Sequence, residues 1–280
     1  MNYREALKSG EKELEASGIE CFEVDAYSLL AHVTGKNRTF ILSHGDEEDL
    51  TDREQEIYSL LIEKRAGRVP LQHLIGSVDF MGLEFLVCPR VLIPRIDTEF
   101  LVEEALRVID DGSRVLDLCV GSGCILLSIM KYKNGIDGVG SDISDEALEL
   151  SSRNAEKLGL SPVLIKGDMF ENIEGKFDYI ISNPPYIRTD DIDSLQEEVR
   201  LYDPRIALDG GFDGLDFYRV IAGSAAQYLN REGRIFLEIG YDQGEEVKRI
   251  FEDAGYLDVE MIRDYSGNMR VIKCLKNWKL

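Results

Sequence analysis

Cationic side chains are scarce in this chain of 280 residues: 32 Lys and Arg stand against 53 Asp and Glu, a formal net charge of −21. A free-standing binder of duplex nucleic acid shows a basic face, because neutralising phosphates drives that affinity. Dividing the chain uncovers no such face. Residues 1–80 hold nine basic and sixteen acidic side chains, and the remainder is acidic as well. The balance points to a protein or small-molecule partner, with no direct nucleic-acid contact. No run of about 18 apolar residues occurs, so no helix is expected to span a membrane. The start, Met1-Asn2-Tyr3-Arg4-Glu5, turns acidic without an apolar stretch, so no secretory signal and a cytoplasmic location are expected. Cysteine is sparse and odd in number: Cys21, Cys88, Cys119, Cys124 and Cys274, with no Cys-x-x-Cys pair to hold zinc or do redox work. These read as reduced, buried thiols. His32, His44 and His73 are scattered through the N-terminal third, and none pairs at metal-ligand spacing, so no metal is expected. Neither an internal repeat nor a low-complexity segment occurs.

What is present is globular: 44% hydrophobic and 30% charged residues, enough for a real core. The length suits one large domain with a smaller companion, and a monomer is expected. Residues 1–76 read as helices. Tyr3, Ala6, Leu7 and Leu14 share one face, and Val24, Tyr27, Leu30 and Ala31 another. Thr51 with Glu54 three residues on is a capping-box pattern opening a helix through Ile57, Leu60 and Leu61 towards Arg65. Residues 77–90 read as a β-hairpin linker turning at Gly82. The domain that follows, 91–280, opens with a proline-punctuated loop and a helix over Thr98–Ile109. Strands and helices then alternate, the pattern of a parallel sheet covered on both faces. Strands are expected at Arg114–Leu118, Gly138–Ser141, Val163–Lys166, Tyr179–Ser182, Arg234–Ile239, Leu257–Ile262 and Arg270–Leu275. Helices fall at Ile125–Lys131, Asp145–Leu158, Gly214–Leu229 and Glu245–Ala254. The link between the last two strands is too short for a crossover helix, so they should pair antiparallel.

Four constellations carry chemistry. The first is Cys119-Val120-Gly121-Ser122-Gly123, a glycine turn between an apolar strand and a helix, where backbone can approach a nucleotide and helix-start N–H groups are free. The dinucleotide fingerprint Gly-x-Gly-x-x-Gly fails, because its last position is Leu126, which disfavours a nicotinamide enzyme. Asp142 ends the next strand, where a carboxylate can accept both ribose hydroxyls. Asp168, after the third strand, could accept from an exocyclic amine while Met169 packs on an adenine ring. The last is Asn183-Pro184-Pro185-Tyr186, after the fourth strand. Two prolines fix φ, remove two donors and hold the residues before them extended. The Asn183 side-chain oxygen and the Pro184 carbonyl then offer two acceptors to a planar –NH2 group, with the Tyr186 ring as an aromatic face.

Asn-Pro-Pro-Tyr in this place resembles the class I S-adenosylmethionine-dependent methyltransferases that act on amide or exocyclic amine nitrogens. Further segments narrow the likeness: Pro70–Gly76, Leu92–Glu99, Ser182–Ile187, Pro204–Gly211, Asp213–Leu215 and Leu237–Gly240 look like the HemK/PrmC family. The resemblance runs from about residue 70 to the C-terminus, and the helical front end matches the family's layout. It implies a Rossmann-like seven-stranded sheet with an antiparallel last strand, plus a small N-terminal helical domain that recognises substrate. It implies methyl transfer from S-adenosyl-L-methionine, leaving S-adenosyl-L-homocysteine, to the glutamine amide nitrogen (N5) of the Gly-Gly-Gln motif of peptide chain release factors. Cys119 to Gly123, Asp142, Asp168, Met169 and Asn183 would hold the cofactor, and Asn183 to Tyr186 would hold the glutamine and form the catalytic loop. The alternatives are a glutamine of another translation protein, or an exocyclic amine of a nucleic acid. Two departures stand out. Cys119 occupies a frequent glycine position, which a side chain tolerates without strain only at negative φ. Tyr202-Asp203-Pro204 replaces the usual Tyr-Glu-Pro, which shortens a carboxylate by one methylene.

Overall fold

The computed structural model describes residues 1–277 and 279; Trp278 and Leu280, within the 91–280 domain expected from sequence, lie outside the described residues. Two compact units form, one from residues 1–77 with 196–202, the other from 78–195 with 203–280. Among the described residues no helix is long and apolar enough to cross a membrane.

The first unit begins with five helices: α1 (Tyr3–Ala16), α2 (Phe22–Thr34), α3 (Arg38–His44), α4 (Asp52–Ala66) and α5 (Leu71–Ile75). Local chemistry starts two of them. Asn2 and Glu5 exchange capping bonds at α1, and Thr51 and Glu54 do the same at α4, which satisfies donors that a helix start leaves open. Tyr3, Ala6, Leu14, Leu29, Leu30 and Ile62 are buried between the helices. A Cβ at Gly10 would stand 2.3 Å from the Tyr58 hydroxyl, so only glycine lets α1 approach Tyr58 so closely.

Two faces differ from those read off the sequence. Val24 is exposed, and α2 buries Ala26, Leu29 and Leu30 together with Asp25. Ile57 and Leu60 are also exposed, and α4 buries Tyr58, Ile62 and Arg65. The cause is an ion pair inside the unit: Arg65 Nε donates to Asp25 Oδ2 at 2.7 Å, so each face contains a charged member that a count of apolar residues passes over. Glu198 also accepts from Arg65, at 3.3 Å, and ties the 196–202 segment to this unit.

The second unit starts with a hairpin, β1 (Ser77–Phe80) and β2 (Leu83–Leu86), whose turn residues Met81 and Gly82 both have positive φ. That is the turn whose twist matches a two-residue hairpin. Then follow α6 (Ile96–Leu106), β3 (Arg114–Leu118), α7 (Cys124–Tyr132), β4 (Asp137–Asp142), α8 (Asp145–Leu158), β5 (Val163–Lys166) and β6 (Phe177–Ser182). After α9 (Glu197–Tyr202), part of the first unit, come α10 (Asp216–Ser224), β7 (Leu229–Glu238), α11 (Gly244–Asp253), β8 (Leu257–Arg263) and β9 (Met269–Leu275). A single seven-stranded sheet runs β5-β4-β3-β6-β7-β9-β8, with β9 antiparallel to both neighbours and the other pairs parallel. This is the Rossmann-like α/β architecture with an antiparallel final strand that the sequence pattern indicates.

Alternation along each strand sorts the core into two layers. Leu116, Leu118 and Ile180 face the cluster that includes Tyr218 and Phe251. Val115, Tyr179 and Ile181 face the opposite cluster with Leu126, Phe80 and Phe85, so the hairpin packs into this unit's core. One expected helix is shorter than its pattern: Gly214–Leu229 resolves into α10, a 3-10 turn at Ala225–Gln227 and the start of β7. Gly214, at φ +75°, cannot be helical.

Removing one partner of a buried ion pair strands the other charge. Asp25→Ala is expected to destabilise the first unit by about 3 kcal/mol, read as a lower midpoint in denaturant unfolding; Val24→Ala, on the exposed side, should change that midpoint little.

Candidate functional site

The strand order reverses beside β3: the chain passes to β4 on one side and later to β6 on the other. Open α/β sheets bind ligands at such a switch point, beyond the carboxyl ends of the strands. A cavity of about 260 Å3 lies there.

After β3 the chain turns through Cys119–Gly123 into α7. Cys119, Val120, Gly121 and Ser122 line the cavity. Gly123 does not. It caps α7 at φ +81°, and a Cβ there would meet Ser151 Oγ at 2.5 Å and Leu127 Cδ1 at 2.9 Å, so its glycine serves helix packing. Cys119 has φ +58°, against the negative value that would make a side chain harmless there. The turn takes a left-handed residue whatever its side chain, at a cost of roughly 1–2 kcal/mol. Burial and the nearby carboxylates of Asp142 and Asp117 push the Cys119 thiol well above its ordinary pKa, so it stays protonated. Behind the turn, buried Asp117 accepts from the Leu126 N–H at 3.2 Å and fastens α7 to β3.

Asp142, Asp168 and Met169 also line the cavity. The Gly121 N–H donates to Asp142 Oδ2 and the Ser144 N–H to Oδ1, both at 2.9 Å. The carboxylate is thereby fixed while each oxygen keeps a lone pair. Burial raises its pKa, opposed by those backbone bonds. Ser144 caps α8 through its bond from the Ala147 N–H. Met169, at φ +52°, places its sulfur 3.8 Å from that of Cys119.

From the other side comes the loop after β6. Asn183 and Pro185 belong to the cavity wall, while Pro184 and Tyr186 stand outside it. Asn183 Nδ2 donates to Thr98 Oγ1 at 3.1 Å, which leaves its Oδ1 uncommitted. No protein donor engages the Pro184 carbonyl among the described residues. Tyr186 is held from behind. Its hydroxyl donates to buried Glu238 at 3.2 Å, and its carbonyl accepts from Gln243 Nε2 at 2.8 Å. The Ile187 N–H donates to the Leu208 carbonyl and the Gly210 N–H to that of Ile187, at 2.9 and 2.8 Å. A Cβ on Gly210 would stand 2.7 Å from Tyr186 Cα and 2.8 Å from the Pro185 carbonyl, so this backbone presses directly on the corner.

Several wall residues escaped sequence reasoning: Val91, Leu92 and Pro94 from the loop before α6, Thr98 from its first turn, and Ile143 and Phe217. For Leu92, Pro94 and Thr98 the only signal was the likeness of Leu92–Glu99 to a family, with no chemistry attached; Val91, Ile143 and Phe217 had none. Arg95 and Asp203 pair, and the Asp203 side chain is 2% exposed. The shortened carboxylate thus still reaches a cation, and Arg95 opposes the burial that raises its pKa. Pro204, next in the chain, lines the cavity.

The family model described as PrmC N-terminal domain matches residues 5–76, and that of the Methyltransferase small domain residues 95–199. A methyltransferase from Pyrococcus furiosus superposes with a TM-score of 0.56 at 19% identity, covering 77% of this chain and 99% of that one, and so shares the fold. Fold and site together define a class I S-adenosylmethionine-dependent methyltransferase. Release factor glutamine methyltransferase of Geobacter sulfurreducens is 43% identical over 92% of this chain and 91% of its own length. The protein of that name from Agrobacterium fabrum is 41% identical over 95% and 94%. The chain belongs to the release factor glutamine methyltransferase family.

Gly210→Ala is expected to shift the Pro185–Tyr186 backbone and lower turnover by about tenfold or more, with S-adenosylmethionine affinity far less changed; steady-state kinetics and calorimetry on the same preparation check it.

Proposed function

We propose that this enzyme transfers the methyl group of S-adenosylmethionine to the N5 amide nitrogen of the glutamine in the Gly-Gly-Gln motif of peptide chain release factors, leaving S-adenosylhomocysteine. The observation that carries this reading is the state of Asn183: it lines the cavity with its Nδ2 occupied by Thr98, so it meets a substrate as an acceptor. An acceptor is what a carboxamide –NH2 requires. Relatives bearing the release-factor name over nine-tenths of the chain support the choice of substrate.

The cavity fits the cofactor. Asp142 retains lone pairs for two ribose hydroxyls, Asp168 offers a carboxylate beyond it, and Met169 supplies an apolar surface for an adenine ring. The turn from Cys119 to Ser122 brings backbone against the remainder. When bound, S-adenosylmethionine supplies a methyl group on a positively charged sulfur. The chain's own residues must do the rest. An amide nitrogen is a poor nucleophile because its lone pair is delocalised into the carbonyl. Asn183 Oδ1 and the Pro184 carbonyl hold the two N–H groups and aim the lone pair. Positioning of this kind can supply ~7–11 kcal/mol in favourable cases. As positive charge grows on nitrogen those two bonds strengthen, which stabilises the transition state selectively. All three histidines lie in the first unit's segment, so no imidazole is on hand in the second, and the proton leaves to water.

The first unit grips the factor away from the glutamine. Val24, Leu42 and Leu60 stay exposed on its helices, apolar surface suited to a protein partner.

Incubation with labelled S-adenosylmethionine and purified release factor should place the methyl on the Gly-Gly-Gln glutamine by mass spectrometry; label on another residue removes the assignment. Asn183→Ala should lower turnover by about 100-fold or more with cofactor affinity little changed. Replacing Val24 and Leu60 by Asp should raise KM for whole factor and leave that for a short Gly-Gly-Gln peptide unaltered; equal changes on both substrates would remove the gripping role.

A further inference from the structure

One side chain ties three turns of the second unit together. Gln243 stands at the start of α11 and is 3% exposed. Its Oε1 accepts from the Gly240 N–H at 3.0 Å, and its own backbone N–H donates to the Gly240 carbonyl at 3.0 Å. The side chain is thereby locked onto the turn it belongs to. Its Nε2 reaches outside that turn, donating to the Tyr186 carbonyl at 2.8 Å and to the Gly214 carbonyl at 3.2 Å.

A carboxamide nitrogen carries two protons, and here both are used. Turned over, the amide would set its oxygen against two carbonyl oxygens and its –NH2 against an N–H. The three contacts together therefore fix one orientation. The space is as closely set as the bonding: a Cβ on Gly214 would stand 2.5 Å from Gln243 Nε2, and one on Gly240 2.7 Å from Oε1.

Both of the turns that Gln243 reaches lead into the cavity wall, while Gln243 is not part of that wall. Pro185, on the wall, precedes Tyr186. The ring of Pro185 fixes its φ and holds Pro184 extended, so few free torsions separate the anchored Tyr186 carbonyl from the Pro184 carbonyl. A shift at the anchor passes on to that acceptor. On the other side, Gly214 lies three residues before Phe217, which opens the first turn of α10 onto the same cavity.

We infer that Gln243 is a positioning residue of the methyl transfer: by bridging the Tyr186 and Gly214 carbonyls it sets the Pro184 acceptor and keeps the Pro185 and Phe217 walls in register. This role rests on the glutamine-methylating reading given above and adds the group that fixes its geometry. The cofactor side has its own supports, Gly121 and Ser144 on Asp142 and Ser141 on Met169. Loss of the bridge should therefore appear in the chemical step and leave cofactor binding alone.

The test uses two variants that break the bridge from opposite ends. Gln243→Met keeps the length and unbranched shape of the side chain and removes both donors. Gly214→Ala presses a methyl on both partners, 2.4 Å from the Tyr186 carbonyl oxygen and 2.5 Å from Gln243 Nε2. Val247→Ala is the control, a buried core position one turn further along α11 whose truncation loosens the packing. Turnover of purified release factor is measured per active site, with sites counted by the calorimetric stoichiometry of S-adenosylmethionine binding, and the unfolding midpoint is followed alongside. Gln243→Met and Gly214→Ala should each lose about tenfold or more in kcat per site, with KM for the factor and S-adenosylmethionine affinity within about twofold of wild type. Val247→Ala should lower the unfolding midpoint and keep its kcat per site. A purely structural role would reduce the number of sites and leave kcat per site unchanged. Wild-type kcat per site in either bridge variant would overturn the inference, as would an equal loss in Val247→Ala or a loss confined to KM or cofactor affinity. Absence of cofactor-binding sites in both bridge variants would overturn it too, making Gln243 a folding residue. If wild type places no methyl on the factor's glutamine, the activity reading fails instead; if wild type is active and Asn183→Ala is not while Gln243→Met matches wild type, only the bridge falls.

Discussion

A diproline corner cannot hold itself. Pro184 and Pro185 have no N–H, so the peptide units of this corner contribute acceptors and nothing with which to anchor them. The anchoring comes from behind, through Gln243 on the Tyr186 carbonyl, the exchange between Ile187 and the 208–210 backbone, and the hydroxyl of Tyr186 on Glu238. Gly210 and Gly214 are as small as they are because Pro185 and Tyr186 lie against them; a Cβ on Gly214 would stand 2.4 Å from the Tyr186 carbonyl oxygen. Positioning an amide nitrogen is a matter of fractions of an ångström, and in the function proposed above this packing would make a fixed receptor of two acceptor atoms.

That support explains which parts of the site were legible beforehand. Elements with local causes stand where the pattern puts them: β3 and β5 match residue for residue, and α8 runs from its Ser144 cap to Leu158. The cavity-lining residues Cys119, Asp142 and Asp168 could be picked out too, since each lies at or just beyond the end of a strand. What was not legible is supplied across the fold. Thr98 sits one turn into a helix with nothing local to distinguish it, and Pro184 and Tyr186 look like wall residues until Glu238 and Gln243 are seen behind them. One signal was available and went unused: a glutamate closing the apolar run Arg234–Ile239, where a buried acid needs partners. In the helical unit the charged pair Asp25 and Arg65 displaced both expected faces for the same reason, that buried polar contacts leave no apolar period.

Three of the few cations are committed to acids within the fold. Arg65 and Arg270 are themselves 8% and 9% exposed, the first on Asp25 and Glu198, the second on Asp97 and Asp264. Arg95 serves Asp203 at the cavity rim. Charges committed in this way leave the remaining side chains as acidic in balance as the count of 32 against 53. An amide –NH2 carries no charge, so its recognition draws on none of these cations.

Strain at the cofactor end follows the same logic of support from a neighbour. Cys119 and Met169 both hold left-handed backbone, a conformation that costs L-residues roughly 1–2 kcal/mol each, and their sulfurs meet at 3.8 Å. Both are tethered to one residue of β4. The Val120 N–H donates to the Ser141 carbonyl at 2.9 Å, and the Ser141 hydroxyl donates to the Met169 carbonyl at 3.2 Å. Because the peptides on either side of the cavity share that strand residue, neither turn can relax without breaking a bond made inside the core, where Ser141 is 1% exposed and an unpaired group is expensive. The strain is therefore stable, and the two soft sulfur side chains meet in a fixed place at the edge of the cavity.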